Sequence, residues 1–323
     1  MTERTRMRAT DRSDADYDAI ASIWNANWPE YPKRGAQYRH SDEKMDGSKV
    51  IERLVAERDD DIVGTGYLRQ ETDSVASGKF LLYAQVLPAS QRQGIGGALL
   101  NELIEAALSQ GATILQSFTR EDRPECVEFL RRRGFEVSMR EQNSELDLTA
   151  FDVGKYAELL RSVADSGIRI LPVSELAGTD PDWKRRLWEL NGEIIPDVPD
   201  DDVLVNEPFE EFAKLFEHPD YLPDGYFVAL DGDEYIGLSS VWRRQLKEAE
   251  LYTRLTGVVR SHRRRGIATA LKVTAADYGR SRGARKIVTD NEENNPMYLL
   301  NVALGFRPTH AWLQFRHEVQ VGR

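Results

Sequence analysis

The sequence predicts an α/β fold, a mixed sheet flanked by helices, built twice in tandem along 323 residues. Two glycine-rich turns of one design carry the first part of that statement. Gln91-Arg92-Gln93-Gly94-Ile95-Gly96-Gly97 follows a strand-like run, Phe80 to Leu87, and opens a long apolar-periodic helix. Arg263-Arg264-Arg265-Gly266-Ile267-Ala268-Thr269 does the same after Glu250 to Val259. A strand feeding a glycine turn at a helix start gathers unpaired N–H groups at the positive end of the helix dipole, a cradle for anions and for phosphate above all. The second observation is recurrence in order. Leu54-Val55-Ala56 returns as Phe227-Val228-Ala229, Gly64 as Gly237, Gly94 as Gly266 and Gly134-Phe135 as Gly305-Phe306, at offsets of 171 to 173 residues. That period is far too long for a solenoid, and each half is long enough to bury its own core. The expected organisation is a domain over 1–150, a helical linker over 151–166, and a second copy over 167–323.

Each element follows from local pattern. In the first copy a strand near Arg6 to Ala9 precedes an amphipathic helix that aligns Tyr17, Ile20, Ile23 and Trp24 on one face. A second helix is expected near Lys49 to Leu54. Leu54 to Glu57 and Ile62 to Gln70 read as a hairpin about the Asp59-Asp60-Asp61 turn. After the glycine unit come a strand (Thr113 to Thr119), a helix (Arg123 to Arg133) and a strand pair from Phe135 to Leu148. Val153, Tyr156, Leu159, Leu160 and Val163 make the linker helical and packed. The second copy repeats the order. Strand Ile168 to Leu171, helices Pro181 to Ile194 and Pro208 to Phe216, and strands Tyr226 to Leu230 and Glu234 to Arg243 precede the glycine unit. Strand Lys286 to Thr289, helix Pro296 to Leu304 and strand Trp312 to Val319 follow it.

Composition narrows the function. A net charge of −11 argues against a nucleic-acid surface, which carries a basic stripe. The acidity either favours cationic acceptors or serves solubility alone. Cys126 is the only cysteine, so no intrachain disulfide can form, and its neighbours Pro124, Glu125, Val127 and Phe129 make it a structural thiol. His40, His218, His262, His310 and His317 are scattered, with no pair at ligand spacing, so no metal is expected. Met1 to Asp14 is polar, and no stretch approaches the ~20 apolar residues of a spanning helix. The expectation is a cytoplasmic protein, monomer or homodimer, acting on a small molecule with no membrane or nucleic-acid partner.

Each half resembles a GNAT acetyltransferase domain, whose signature is [Q/R]-x-x-G-x-[G/A] after the fourth strand. Gln91, Gly94 and Gly96 satisfy it in one copy, Arg263, Gly266 and Ala268 in the other. Val86-Leu87-Pro88 matches the Val-x-Pro that the family places ahead of the turn; Val258-Val259-Arg260 keeps the valine and loses the proline. Both copies end the next helix in Gly-Phe, the family's usual exit. The tandem layout is similar to that of mycothiol synthase-like enzymes. The resemblance implies acetyl-CoA as cofactor. It places the coenzyme on Val86 and Gln91, Arg92, Gln93, Gly94, Ile95, Gly96 and Gly97 in the first copy. In the second it uses Val258, Val259, Arg263, Arg264, Arg265, Gly266, Ile267, Ala268 and Thr269, with the arginine run beside the phosphates. A dinucleotide site would need Gly-x-Gly-x-x-Gly after the first strand, which neither copy has. The resemblance also makes Asn294 the pantetheine contact, a residue that equally suits a helix N-cap; the first copy has Thr119-Arg120-Glu121-Asp122-Arg123-Pro124 there.

Catalysis is less explicit. Many members use a tyrosine four residues before the Gly-Phe glycine to protonate the leaving thiolate; those positions hold Leu130 and Asn301. Asn301 can donate a hydrogen bond to the coenzyme but no useful proton. Tyr298 lies one turn earlier on the same helix face and is the candidate acid, or a core tyrosine. Period-two alternation sets Glu250, Tyr252 and Thr256 on one strand face, and Glu250 is the candidate base, or a solvated strand-end charge. Arg131-Arg132-Arg133 reads as a helix C-terminal cap. The acidic stretch Asp197, Asp200, Asp201 and Asp202 either steers a cationic amine or is plain solvated loop. The implied activity is N-acetyl transfer from acetyl-CoA to a primary amine of a small molecule, attacked directly in a ternary complex. A non-catalytic acyl-CoA sensor, or a hybrid with one catalytic and one scaffolding half, stands beside it.

Overall fold

The computed structural model describes residues 5–44, 50–71, 78–200, 203–244 and 246–319. The chain forms two compact units: Met1–Thr119 with Arg123–Ser138 and Leu313–Arg323, and Arg120–Asp122 with Met139–Trp312. The units thus cut the chain elsewhere than the repeats do, since each takes its last strand segment from the far end of the other copy.

The first unit runs β1 (Arg6–Ala9), α1 (Asp14–Asn27), α2 (Gly35–Lys44), β2 (Ile51–Arg58), β3 (Asp61–Gln70), β4 (Lys79–Val86), α3 (Ile95–Ser109), β5 (Ile114–Arg120) and α4 (Pro124–Arg131). Ser13 caps α1 by accepting from the Asp16 N–H. Asp59 and Asp60, both at positive φ, turn β2 into β3. The second helix is α2, earlier than the expected Lys49 to Leu54. Ile51 to Leu54 instead begins β2, whose Leu54, Val55 and Ala56 are buried and pair with Gly66, Thr65 and Gly64; residues 45–49 lie outside the described residues. Leu99, Leu100 and Leu103 of α3 pack onto the sheet, and Gly64 and Gly66 let them in: a Cβ on Gly64 would lie 3.1 Å from both Ile95 and Leu99. The sheet order is β1-β2-β3-β4-β5, closed by the end of β12 (Arg307–Glu318).

The second unit contains most of β6 (Glu136–Asp147), then α5 (Ala157–Asp165), β7 (Ile168–Pro172), α6 (Val173–Thr179), α7 (Trp183–Ile194) and α8 (Phe209–Lys214). After these come β8 (Tyr226–Asp231), β9 (Glu234–Arg243), β10 (Glu250–Val258), α9 (Ile267–Ser281), β11 (Lys286–Glu292), α10 (Pro296–Ala303) and the start of β12. The sheet order is β7-β8-β9-β10-β11-β6, then β12. Two expectations need correction here. Within the expected strand pair, Glu136–Asp147 forms one long strand, because no turn residue interrupts the continuous antiparallel ladder from Glu141 to Asp147 against β11. Strand β12 begins at Arg307 rather than Trp312, where the Gln142 side chain donates to the His310 carbonyl at 3.0 Å. The segment between the copies belongs to this unit: Val163 is in its core, and Tyr156, Leu159 and Leu160 pack against it.

In each unit the strand before the glycine turn and the strand after the following helix run parallel only at their start. Pairing covers Lys79↔Ile114 to Leu81↔Gln116 in the first unit, and Glu250↔Lys286 to Tyr252↔Val288 in the second. Beyond those pairs the strands part and leave a cleft in front of each turn.

Candidate active site

The two turns share one backbone. Arg92 and Gly94 take φ of 64° and 88°, Arg264 and Gly266 take 64° and 78°. Gly94 and Gly266 are the N-caps of α3 and α9 and offer no side chain to the orphan N–H groups, which stay available to an anion. A Cβ on Gly94 would meet nothing within 4 Å, whereas a Cβ on Gly266 would lie 2.6 Å from Leu159 of α5, so the flank of the second turn is packed while its N–H side faces the cleft.

The first residue of each motif ties its turn to the preceding strand and lines the cavity. Gln91 Nε2 donates to the Val86 carbonyl at 3.0 Å and to Asn27 Oδ1 at 3.1 Å. Arg263 repeats this, with Nε on the Val258 carbonyl at 2.9 Å and a terminal nitrogen 2.5 Å from Asp197 Oδ2. Asp197 also accepts from Arg260 Nε at 2.9 Å. Hydrogen bonds from Arg260 and then Arg263 hold the Asp197 carboxyl well below the usual carboxylate range. Asp197 is thus committed to the turn, and Asp201 and Asp202 lie outside the described residues. The arginine run divides: Arg263 ties the turn, Arg264 lines the cleft, and Arg265 turns toward Asp231, 4.0 Å away.

The second unit's cleft is a cavity of about 580 Å³. Val258, Gly266, Ile267, Ala268 and Thr269 line it from the turn; Thr253 to Gly257 line it from β10; Thr289 to Glu292 line it from β11. Val259 is instead buried in the core. Strand β10 carries a bulge. Thr253 pairs with Val241 and Thr256 with Ser239, so Arg254 and Leu255 together oppose Ser240. The extra residue flips the alternation. Thr256 therefore shares a face with Thr253, not with Glu250 and Tyr252, and its hydroxyl meets Ser239 Oγ at 2.8 Å.

Glu250 does not reach the cleft. It pairs with Lys286 at the closed end of the strands and is held by Arg244 at 2.5 Å and Lys247 at 3.6 Å. Of the carboxylates that do line the cleft (Glu141, Asp197, Asp290 and Glu292), Asp290 stands two residues beyond the last parallel pair, where the strands part. Burial pushes its pKa up, opposed by a hydrogen bond donated from Tyr252. Burial first, then the Asp290 charge, raise the Tyr252 phenol well above its ordinary value. The N-cap of α10 is Asn295, which accepts from the Met297 N–H at 2.9 Å and lines the cleft. Asn294 is exposed, its amide on Glu292 at 2.8 Å. Asn301 is fully buried and donates to Asn291 Oδ1 at 2.6 Å. Tyr298 is half-buried on α10 and is not among the residues lining the cavity. Lys272, which the sequence reading passed over, lines the cavity from α9 although it is only 6% exposed. Its signal is a lysine set among Ala270, Leu271, Val273 and Ala275 in α9, which pattern alone assigns to solvent.

The first unit's cleft, about 690 Å³, differs where chemistry would occur. Strand β4 pairs with β3 in unbroken register from Gly64↔Val86 to Gln70↔Phe80. Phe118 stands at the β5 position that Asp290 holds on β11, and Leu100 at the α3 position that Lys272 holds on α9. Val86, Gln91, Arg92, Gly94, Gly96 and Gly97 line the cavity, while Ile95 is buried and Gln93 leans back on Ala89. Arg133 keeps the capping role, its guanidinium donating to the Phe129 carbonyl at 3.0 Å, and does more: it covers the Phe129 ring at 3.7 Å and would touch a Cβ on Gly97 at 2.9 Å. It thus brings a cation to the glycine turn. Cys126 stands on the cleft wall with its thiol pushed up, mainly by burial.

Two glycine-cradled clefts on parted strands match a known pattern: the acetyltransferase (GNAT) family aligns with residues 17–135 and again with 186–306. The chain belongs to that family. N-alpha-acetyltransferase 30 of Schizosaccharomyces pombe is 32% identical over 94 residues, 28% of this chain and 61% of that protein. The chain therefore spans less than two thirds of that relative's length. A GCN5-related N-acetyltransferase from Sphaerobacter thermophilus superposes with a TM-score of 0.73 at 18% identity, over 100% of this chain and 98% of its own. A tandem GNAT protein from the clavulanic acid biosynthesis pathway gives 0.76 at 19% identity, over 99% and 100%. These likenesses establish the tandem GNAT fold. Among the described residues, no helix is long and apolar enough to cross a membrane.

Proposed function

We propose that the chain transfers an acetyl group from acetyl-CoA to a primary amine of a small molecule, by direct attack in a ternary complex, and that the second unit performs the chemistry. The observation that carries the reading is the placement of a bulged strand and a half-buried carboxylate on opposite walls of one cleft, in front of an anion-ready helix start. The N–H groups of the α9 first turn and Arg264 would hold the coenzyme phosphates. The unpaired N–H that the bulge leaves at Arg254 and Leu255 would donate to the thioester oxygen as negative charge develops there. Asp290 would take the proton of the incoming ammonium, and its raised pKa suits that work better than an ordinary carboxylate would. Tyr252 orients Asp290 through their hydrogen bond.

The first unit supports a different role. Its cradle is open, and Arg133 adds a cation beside Gly97, yet Phe118, Leu100 and the regular β4 offer no base, no acid and no bulge. We assign it coenzyme binding without turnover, which is the hybrid arrangement. A panel of amines (aminoglycosides, amino sugars, polyamines, amino acids) assayed by thiol release from acetyl-CoA tests the proposal. Turnover with any of them supports it; coenzyme binding with no turnover across the panel would replace it with a sensor.

A further inference from the structure

Among the described residues Lys272 and Arg254 line the second cleft with a charge that the proposed reaction does not use and that no carboxylate pairs; Arg254 covers the Trp242 ring at 5.0 Å, and Lys272 is the buried one. It projects from the second turn of α9 into the cavity, 6% exposed, and among the described residues no carboxylate pairs with it. Its Nζ lies 5.5 Å from the centre of the Phe306 ring. Phe306 is tied back to α10 by its N–H on the Asn301 carbonyl at 3.0 Å. The ammonium therefore sits beside the end of α10 that carries Asn301, the position where related domains hold a proton-donating tyrosine and where this chain holds an amide. The charged and titratable groups on the other cleft walls are Asp290 and Glu292 on β11, Glu141 on β6 and Arg254 on β10, with Asp197, His262, Arg263 and Arg264 around the turn. None of them shifts the lysine; burial alone lowers it, to about 8.

We propose that Lys272 is the general acid of this site, donating its proton to the sulfur of coenzyme A as the thiolate leaves. The inference rests on the second unit being the acetyl-transferring one. In the full step, Asp290 takes one proton from the ammonium of the acceptor, and the freed amine nitrogen attacks the thioester carbon. The C–N bond forms as the C–S bond breaks, Lys272 passes its proton to the departing sulfur, and the second amine proton and that on Asp290 go to Lys272 and to solvent. The net change is an alkylammonium and acetyl-CoA giving the acetamide, free coenzyme A thiol and one proton. An acid near the leaving thiol in pKa transfers its proton most effectively, and a buried lysine approaches that range where an exposed one does not. The first unit, with Leu100 at the same helical position, has no such donor.

The test uses the whole chain and needs no acceptor. Ultraviolet absorbance of the thiolate reports the titration of coenzyme A bound to wild type, to Lys272→Met and to Lys272→Arg. Methionine suits the apolar surroundings, and calorimetry with coenzyme A checks that each variant still binds. The thiol of bound coenzyme A should titrate about one to two units lower in wild type and in Lys272→Arg than in Lys272→Met. Once an amine is found, kcat of wild type should fall as pH rises through about 8, the value to which Lys272 is lowered, because the acid must be protonated. Lys272→Met should lose that descending limb together with about 100-fold in kcat, and Lys272→Arg, which keeps the charge but holds its proton, should lose turnover alike. An unchanged thiol titration in a Lys272→Met protein that binds coenzyme A normally overturns the assignment. If wild type shows the shifted thiol but no amine is ever acetylated, the functional proposal fails while the lysine is still shown at the sulfur.

Discussion

Replacing Gly266 and Gly94 by alanine separates what the two turns share from what distinguishes them. Both glycines lie in the left-handed region, at φ of 78° and 88°, so a Cβ costs about 1–2 kcal/mol at either. The surroundings then differ. At Gly94 the new methyl enters open space, while at Gly266 it lands 2.6 Å from Leu159 Cδ1, with Val163 Cγ2 at 3.8 Å. The leucine or its helix must move, and overpacking of this kind adds about 1–3 kcal/mol. Gly94→Ala should therefore destabilise the first unit by about 1.5 kcal/mol, and Gly266→Ala the second by about 3 kcal/mol. Urea unfolding analysed as two transitions reads each unit separately, since one apparent free energy for a two-domain chain has no clear meaning. Adding Leu159→Ala to Gly266→Ala should recover about 1 kcal/mol or more as a coupling term, and adding it to Gly94→Ala should recover none. Equal costs at the two glycines, or zero coupling with Leu159, would refute the packing described for the second turn.

Three further outcomes follow from the same geometry. Asp290→Asn should lower kcat by about 100-fold or more. Because the base works ionised and its pKa is raised, wild-type kcat should climb with pH above the ordinary aspartate range; a climb retained in Asp290→Asn would assign the base elsewhere. In the first unit Arg53 and Asp42 form a buried pair at 2.7 Å with both side chains under 5% exposed. Asp42→Ala leaves that guanidinium unpaired and should cost about 3–5 kcal/mol in the first urea transition, whereas a loss under 1 kcal/mol would mean that Tyr38 and Tyr67 suffice to hold Arg53. Replacing Asp200, Asp201 and Asp202 with Asn should raise the acceptor KM at low ionic strength and leave it alone at high salt; an unchanged KM at low salt would make the loop plain surface.

Much of this was legible in the sequence, for reasons particular to each element. The glycine turns are visible because only glycine serves at Gly94 and Gly266, and the flanking periodicities announce strand and helix independently. The duplication is visible because Gly64 and Gly237 both admit a packed helix, so the landmark survives with the contact. Helix α2 was displaced in the reading because its ten residues are almost all polar and its stability comes from tertiary anchors, among them Asp42 on Arg53. The active-site side chains were hardest to read. A single bulge at Arg254 and Leu255 inverts every face assignment beyond it, and no residue type marks a bulge of this kind. Glu250 looked like the base because its strand was right; only the register of Glu250 with Lys286 shows that it stands at the closed end. Asp290 and Lys272 stayed hidden for one shared reason: pattern assigns charge to the surface, and here a cleft brings the surface inside.

The most direct test of the central claim, that the second cleft transfers the acetyl group, puts a carboxylate into one cradle at a time. Gly96 and Ala268 occupy equivalent first-turn positions, neither at positive φ, and both line their cavities. An acidic side chain there favours the helix dipole and repels phosphate, so folding is retained while coenzyme binding in that unit is lost. Thiol release from acetyl-CoA with an active amine should vanish in Ala268→Glu and persist in Gly96→Glu. Turnover that survives Ala268→Glu and disappears in Gly96→Glu would place the chemistry in the first unit and contradict the account.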